Sequence, residues 1–340
     1  MSSKTFFKKA ACFTDLHYGL KNNSRQHNND CEEFIKWFIE KAKEEGCETC
    51  IFLGDFHHHR ASVNVSTLNY MVSGLKMLSE GFENVYFITG NHDLFYREKR
   101  EIHSVPMGEL FDNIHMIDEV MVEGDVAIVP WLVGDEHKEI VKLKTKYMFG
   151  HFEIPGFKLN AMIEMPDHGG LKRNMFKHQD YVFSGHFHKR QWGDNVHYIG
   201  NPFGHNYSDV WDFDRGCMIL EWGSEPQYIN WEDGPKYVNV LLSDLAEHPD
   251  DYLLENANVK VVIDLQLSYE EVNYMKELFS SQYNIRELKM VPQKNEDLTN
   301  ASETDIAFET VDQIVVDQIT AMESEKYSTQ TLLTIYRNLD

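Results

Sequence analysis

Five short apolar runs in this sequence each end in side chains able to bind a metal, and that coupling constrains the fold more than any other feature. Phe6 to Thr14 runs into Asp15-Leu-His17, Thr49 to Leu53 into Gly54-Asp55, and Val85 to Thr89 into Gly90-Asn-His-Asp93. Tyr147 to Phe149 ends in Gly150-His151, and Tyr181 to Ser184 in Gly185-His-Phe-His188. Between the first three runs lie two stretches of helical periodicity. Asp30 to Lys43 carries Cys31, Phe34, Phe38 and Ala42 on one face, with Asp30 as the expected N-cap, Glu33 three residues on and Gly46 as the stop. Ser66 to Leu78 carries Leu68, Met71, Leu75 and Leu78.

Strand–helix–strand–helix–strand is the order a parallel α/β fold requires, and such sheets place their sites at the carboxyl ends of the strands. The later runs, Val126–Val129, Tyr147–Phe149, Tyr181–Ser184 and Val196–Ile199, predict a second sheet packed against the first. Taken singly, each motif is weak. A Gly-Asp is usually a turn, a lone histidine is usually a core or surface residue, and Gly-Asn-His-Asp suits any strand-to-loop turn. Taken together, in order and each at a strand end, they bring carboxylate, imidazole and amide groups to one pocket. Mixed nitrogen and oxygen ligands suit Mn²⁺, Fe²⁺ or Zn²⁺ better than Mg²⁺ or Ca²⁺, which favour oxygen alone.

The chain's 340 residues leave room for a large catalytic core and a smaller accessory region, and 42% apolar with 26% charged residues is ordinary for a globular protein. Neither a secretory leader nor a membrane span is evident, so the expected location is cytoplasmic with no membrane partner. The five cysteines give no disulfide framework. Cys47 and Cys50 form a CxxC that lacks a second ligand pair and reads as two small buried residues.

A formal charge of −23 is awkward for any contact with nucleic acid, but 22 acidic against 8 basic residues from Glu232 onward account for −14 of it. Arg60, Arg97, Lys99, Arg100, Lys189 and Arg190 lie close to the ligand motifs and are the candidate nucleic-acid contacts, and bound divalent ions would add positive charge there.

After Trp231 the pattern changes to a strand at Val259–Leu265, a helix at Ser268–Leu278 and a strand at Ile285–Val291. Gln293–Thr304 is polar and linker-like. Two amphipathic helices follow, one with Val311, Ile314, Val315, Ile319 and Met322, the other with Leu332, Ile335, Tyr336 and Leu339. The expected organisation is a catalytic domain over 1–232, a small module over 233–294, and a linker with two helices over 295–340.

These motifs, at these spacings, resemble the calcineurin-like metallophosphoesterase superfamily. Within it the chain is similar to SbcD-type (meiotic recombination eleven) DNA-repair nucleases, and most similar to the recombination endonuclease subunits of tailed phages. The resemblance continues through Tyr198-Ile-Gly-Asn-Pro202 and Asp214-Arg-Gly216. It implies a four-layer α/β/β/α sandwich, a small α+β capping module and C-terminal helices. By the resemblance, Asp15, His17, Asp55 and His188 would hold one divalent ion, and Asp55, Asn91, His151 and His186 a second, with Asp55 shared. Mn²⁺ is the expected ion, with Mg²⁺, Fe²⁺ and Zn²⁺ as alternatives. His92 would be the catalytic residue that binds no metal, and His58 matches a histidine that some family nucleases place near the scissile phosphate. The family commonly has an aromatic residue before that histidine; this chain has His57, His58 and His59 in a row, and any of the three can face the site.

The resemblance also implies DNA as substrate, a homodimer, and an SbcC-like coiled-coil ATPase of SMC type bound through the C-terminal helices. Two rival functions remain. A phosphomonoesterase of the same superfamily would typically read Gly-Asp-x-x-Asp-Arg and Gly-Asn-His-Glu, whereas this chain reads Gly54-Asp-Phe-His-His58 and Gly90-Asn-His-Asp93. A non-catalytic scaffold would be expected to have lost a ligand, and none is missing.

Overall fold

Strand β1 (Lys9–Phe13) is buried on both faces, and that single fact sets the layer order of the computed structural model, which describes residues 5–159, 164–167, 169–293, 328 and 332. Ala11 and Phe13 point towards two helices, α1 (Arg25–Glu44) and α2 (Val65–Gly81), in a core with Phe34, Phe38, Leu75 and Leu78. Ala10 and Cys12 point the other way, into a second core shared with Val126, Ile128, Phe149 and Phe183. A strand buried on both faces needs apolar residues at every position, so its sequence, Lys-Ala-Ala-Cys-Phe, does not alternate.

β1 pairs in parallel with β2 (Thr49–Phe52), β2 with β3 (Asn84–Ile88), and β3 with β4 (Ile114–Ile117). On its other side β1 pairs antiparallel with Gly216–Glu221, which pairs with Gln227–Asn230 and completes a six-stranded sheet. The second six-stranded sheet is built on β5 (Val126–Val129), β6 (Tyr147–His151) and β7 (Tyr181–Gly185), parallel to one another. The two sheets pack face to face. Over the outer face of the second lie the short helix His137–Ile140 and the segment carrying Phe152, Ile154, Phe157, Leu171 and Phe176. The four layers are therefore helix, sheet, sheet and a thin outer cover.

One expectation is corrected in α1. Asp30 is not its N-cap: the helix begins at Arg25 and Ser24 caps it, accepting from the His27 amide. The extra turn has no apolar periodicity, because what it buries is polar. His27 donates to the His17 carbonyl at 3.0 Å, and Asn28 accepts from the Gly19 amide at 2.8 Å. Asp30 instead accepts from Arg286 at 2.8 Å. The second helix likewise starts earlier than expected, with the Asn64 side chain accepting from the Ser66 and Thr67 amides, which contributes about 1 kcal/mol.

Beyond Trp231, Lys236–Leu241, Ala257–Ile263 and Glu287–Pro292 form a three-stranded parallel sheet, covered by helix α3 (Tyr269–Gln282). Ser268 and Glu271 close a reciprocal capping box at its start. The module is tied to the sandwich by the Asp30–Arg286 pair and by a Lys21–Tyr237 hydrogen bond. The chain divides into two units, Met1–Gln293 and Lys294–Asp340. The expected linker and helix pair fall in the second and, Ser328 and Leu332 apart, lie outside the described residues.

Candidate metal centre

The loops after β1 and β2 are stitched together by backbone before any metal enters the argument. The Asp15 amide donates to the Gly54 carbonyl at 2.9 Å, His17 to Asp55 at 3.0 Å and Tyr18 to Phe56 at 2.8 Å. Holding the side chains there forces the backbone into a region that non-glycine residues rarely occupy: φ is +53° at Asp15 and His17, and +61° at Asp55. Gly90 must be glycine, because a Cβ there would overlap the Asp55 carboxylate and amide.

Asp93, whose role was not read from the sequence, organises this half. Its carboxylate accepts from four backbone amides: Asp55 at 3.0 Å, Phe56 at 3.3 Å, His57 at 2.8 Å and Gly90 at 2.9 Å. One side chain thus clamps the second motif to the third. Burial, with the nearby Asp55 charge, pushes its carboxyl up to about 7 in the metal-free chain.

The second sheet supplies the imidazoles. His151, fully buried at the end of β6, has Nδ1 2.6 Å from the Leu53 carbonyl. That nitrogen must donate, so Nε2 is presented to the site. The Asn91 Oδ1 lies 3.1 Å from His151 Nε2 and 3.0 Å from His186 Nδ1. The His186 amide donates to Asp15 at 3.0 Å, with its own φ at +88°. Trp131 flanks the group, its ring 5.2 Å from His186 and 5.9 Å from His151.

Three sets of ligand atoms lie here, each within 4.8 Å of one another: Asp15, His17 and His188; Asp55, His151 and His186; and His17, His58 and His92, of which the first two carry carboxylates. Asp55 Oδ2 stands between those two, 3.4 Å from His151 Nε2 and 3.6 Å from His17 Nε2. Asp15 Oδ1 is 3.8 Å from His17 and 3.9 Å from His188. All seven sequence-predicted ligands are therefore brought together. The chemistry of the donors fits a pair of divalent cations: two carboxylates, an amide oxygen and four imidazoles, with His17 Nε2 buried and lacking any hydrogen-bond partner.

The electrostatics of the metal-free chain show the same demand. Burial raises Asp15, whereas at Asp55 the charge of His151 overrides burial and holds the carboxyl well below the usual range. Burial opposes charge on His151 too, but Asp55 lifts it to about 9. Burial holds His17 and His186 well below the usual imidazole value.

His92 belongs to neither carboxylate-bearing set, although its ligand atoms cluster with those of His17 and His58. Its amide donates to Asp55 Oδ1 at 2.8 Å and its Nδ1 donates to the His58 carbonyl at 2.9 Å. Its ring stacks on His58 at 5.0 Å and meets His17 edge-on at 4.8 Å. Of the three consecutive histidines, His58 faces this site, with Nδ1 3.3 Å from His17 Nδ1. His57 turns inward, fully buried with both nitrogens unpartnered, and His59 donates to the Gly19 carbonyl at 3.0 Å.

His205 was also missed. It is fully buried, 5.6 Å from the His17 ring and 5.2 Å from His188, and neither of its nitrogens has a partner. Its sequence setting, Asn201-Pro-Phe-Gly-His205, carries no spacing that marks it.

The six candidate nucleic-acid contacts divide. Arg100 is spent on Glu136 and on the Asp118 and Trp131 carbonyls, and Arg190 on Asn230 and the Ile199 carbonyl. Arg97 and Lys189 reach Glu153 and Asp212, both at 3.4 Å. Lys99 is exposed and 3.9 Å from Glu101, and Arg60 is half-buried with no acidic partner among the described residues.

No family model matches the chain. A curated protein, Exonuclease subunit 1 of Enterobacteria phage T4, is 30% identical over 200 residues, which is 56% of this chain and 58% of that protein. The chain thus matches under two thirds of that relative's length. Among solved structures, the nuclease MPE of Pseudomonas putida is similar at 22% identity and a TM-score of 0.30, over 53% of this chain and 62% of that one.

Proposed function

We propose that this chain, which carries the metallophosphoesterase sandwich and its donor set, hydrolyses phosphodiester bonds of DNA as a two-metal nuclease subunit. The observation that carries the reading is the position of Asp55 Oδ2 between two carboxylate-bearing ligand sets, with an imidazole fixed beside them that belongs to neither. The relative's name, an exonuclease subunit, supports the same substrate.

Asp15, His17, Asp55 and His188 would hold one ion, and Asp55, Asn91, His151 and His186 the other. When bound, two divalent ions supply the positive charge that neutralises a phosphate and acidifies an attacking water. The rest falls to the chain. His92 Nδ1 donates to the His58 carbonyl, so Nε2 is the nitrogen that carries the exchangeable proton. An imidazolium there stabilises charge on the departing oxygen or hands it that proton. His58, stacked on His92 and touching His17, fixes the orientation of both rings. Asn91, as a neutral oxygen donor, leaves more of the ions' charge for the phosphate.

Mixed nitrogen and oxygen donors suit Mn²⁺, Fe²⁺ or Zn²⁺, and of these Mn²⁺ is the ion the resemblance implies. The module at 233–294 would cap the DNA, and residues 295–340 would bind a coiled-coil ATPase of SMC type, with the nuclease acting as a homodimer in host-cell cytoplasm during recombination, repair or DNA degradation. The acidity beyond Glu232 favours a protein partner there over DNA.

The test is Mn²⁺-dependent cleavage of linear duplex and single-stranded DNA, set beside hydrolysis of a phosphomonoester. Cleavage of DNA is the expected result. Activity on the monoester alone overturns the nuclease reading, and metal binding without hydrolysis makes the chain a scaffold. Recovery of a coiled-coil ATPase with the chain from its native host tests the partner.

A further inference from the structure

The residues directly after the Gly-Asn-His-Asp motif form a β-hairpin, Leu94–Tyr96 paired with Lys99–His103 across the two-residue turn Arg97-Glu98. Leu94 is fully buried at its base, yet Phe95 and Tyr96 are 43% and 45% exposed, with ring centroids 4.7 Å apart. Lys99 Nζ lies 5.7 Å from the Tyr96 ring. The register shifts opposite Phe95, where Arg100–Ile102 of the returning strand face that one residue, an irregularity of the kind common beside active sites.

This exposed end is held on a stiff stalk. Arg100 grips both Glu136 oxygens, at 2.7 and 2.5 Å, and the Asp118 and Trp131 carbonyls. The Trp131 indole donates to the Arg97 carbonyl at 3.2 Å, and the Ser104 amide to the Asp93 carbonyl at 2.8 Å. Trp131 is the same ring that flanks His186 and His151. The arm is thus braced at one end to the ligand loops and ends at the other in two aromatic faces and cations.

Exposed apolar side chains on a short hairpin could cover a second copy of the chain. Arg97 and Lys99 stand beside the rings in loose, exposed pairs with Glu153 at 3.4 Å and Glu101 at 3.9 Å that a phosphate can compete for, and the position next to His92 favours the substrate of that centre over a second copy. Exposed aromatic faces with a cation beside them suit a flexible polyanion with stackable bases. The arm is also continuous with the metal centre, since one residue separates His92 from Leu94.

Resting on the nuclease reading above, we infer that the hairpin Leu94–His103 guides single-stranded DNA, with Phe95 and Tyr96 stacking on unpaired bases and Lys99 beside their phosphates. The strand that enters the metal centre is then drawn in by its bases, whatever their sequence, because every base offers a π-face.

The probe is a phosphorothioate-linked single-stranded 12-mer, which resists cleavage, with 2-aminopurine near either end in separate preparations. The chain with Mn²⁺ is expected to quench at least one label. The double variant Phe95→Ala, Tyr96→Ala is expected to abolish that quenching and weaken binding by roughly tenfold or more. Hydrolysis of bis(p-nitrophenyl) phosphate, too small to reach the arm, reports whether the metal centre of the variant is intact. If that is lost, Phe95→Leu with Tyr96→Leu, which keeps bulk but no π-face, decides by the same two readouts. Quenching and affinity that survive in a variant with an intact centre overturn the proposal. So does a variant that changes only the oligomeric state, since the arm is then a contact between copies. Wild-type cleavage of DNA without quenching sinks the arm alone, and no cleavage of any DNA sinks the nuclease reading beneath it.

Discussion

The two sheets contribute to one site by different means. The first supplies its carboxylates and His17 on loops whose backbone is strained, with positive φ at Asp15, His17 and Asp55, and Asp93 holds that strain in place through four amides. The second supplies His151 from the last residue of a regular strand and aims it with one hydrogen bond to Leu53, while side chains, Asn91 and Trp131, position His186. The carboxylate side is therefore preorganised mainly by backbone and the imidazole side mainly by side-chain contacts, with His186 alone there sharing a strained backbone, at φ +88°. A backbone clamp fails all at once, whereas side-chain contacts fail one at a time.

Removing the clamp is the most damaging way to probe this contrast. Asp93→Ala leaves four buried amides without an acceptor and is expected to cost roughly 3–5 kcal/mol, read by chemical denaturation. It should also lose both ions, because Asp15, Asp55 and Asn91 depend on the loops it joins. If Asp93→Ala keeps two ions and full stability, the clamp is not what holds this half.

The corresponding change on the imidazole side should do less. His186→Ala is expected to lower Mn²⁺ stoichiometry from two to one, measured by titration calorimetry, while stability in chelator changes little. Loss of both ions would mean that the two halves are not separable as described.

The smallest effect is a pH dependence read on the imidazole half. His151 binds a cation through Nε2 only after losing the proton that Asp55 holds there to about 9. Apparent affinity at that ion should fall by about tenfold per unit as pH drops below 9, with a proton released on binding. In the metal-free chain the sign is opposite. Because its value is raised above the ordinary 6.5, His151 contributes stability that is complete below pH 6.5 and fades as pH rises through about 9. Binding that releases no proton well below pH 9 would contradict this.

The same contrast explains what was legible in the sequence. The candidate ligands sit where apolar runs stop, so strand ends and residue type marked Asp15, His17, Asp55, Asn91, His151, His186 and His188, whereas setting His92 apart from them rested on the family resemblance. The parallel order and the second sheet followed from the same runs. The start of α1 was misread because His27 and Asn28 are buried by hydrogen bonds, and apolar periodicity is blind to a polar residue that is buried well. Asp93 lay inside a recognised motif, but its work is done on backbone amides of a distant loop. His205 has no neighbour in sequence to betray it, and the histidine triplet needed coordinates because adjacent side chains diverge on a turn. The basic residues were placed by proximity along the chain, which could not tell that Arg100 and Arg190 are held by the fold.

The central claim is that seven residues hold two ions while His92 acts on the substrate without holding either. Mn²⁺ stoichiometry and DNA cleavage measured together on His92→Ala test it most directly. The account predicts two ions per chain, as in the unaltered protein, with cleavage lowered by roughly a hundredfold or more. A variant that binds fewer ions, or that binds two and cleaves at the normal rate, would contradict it.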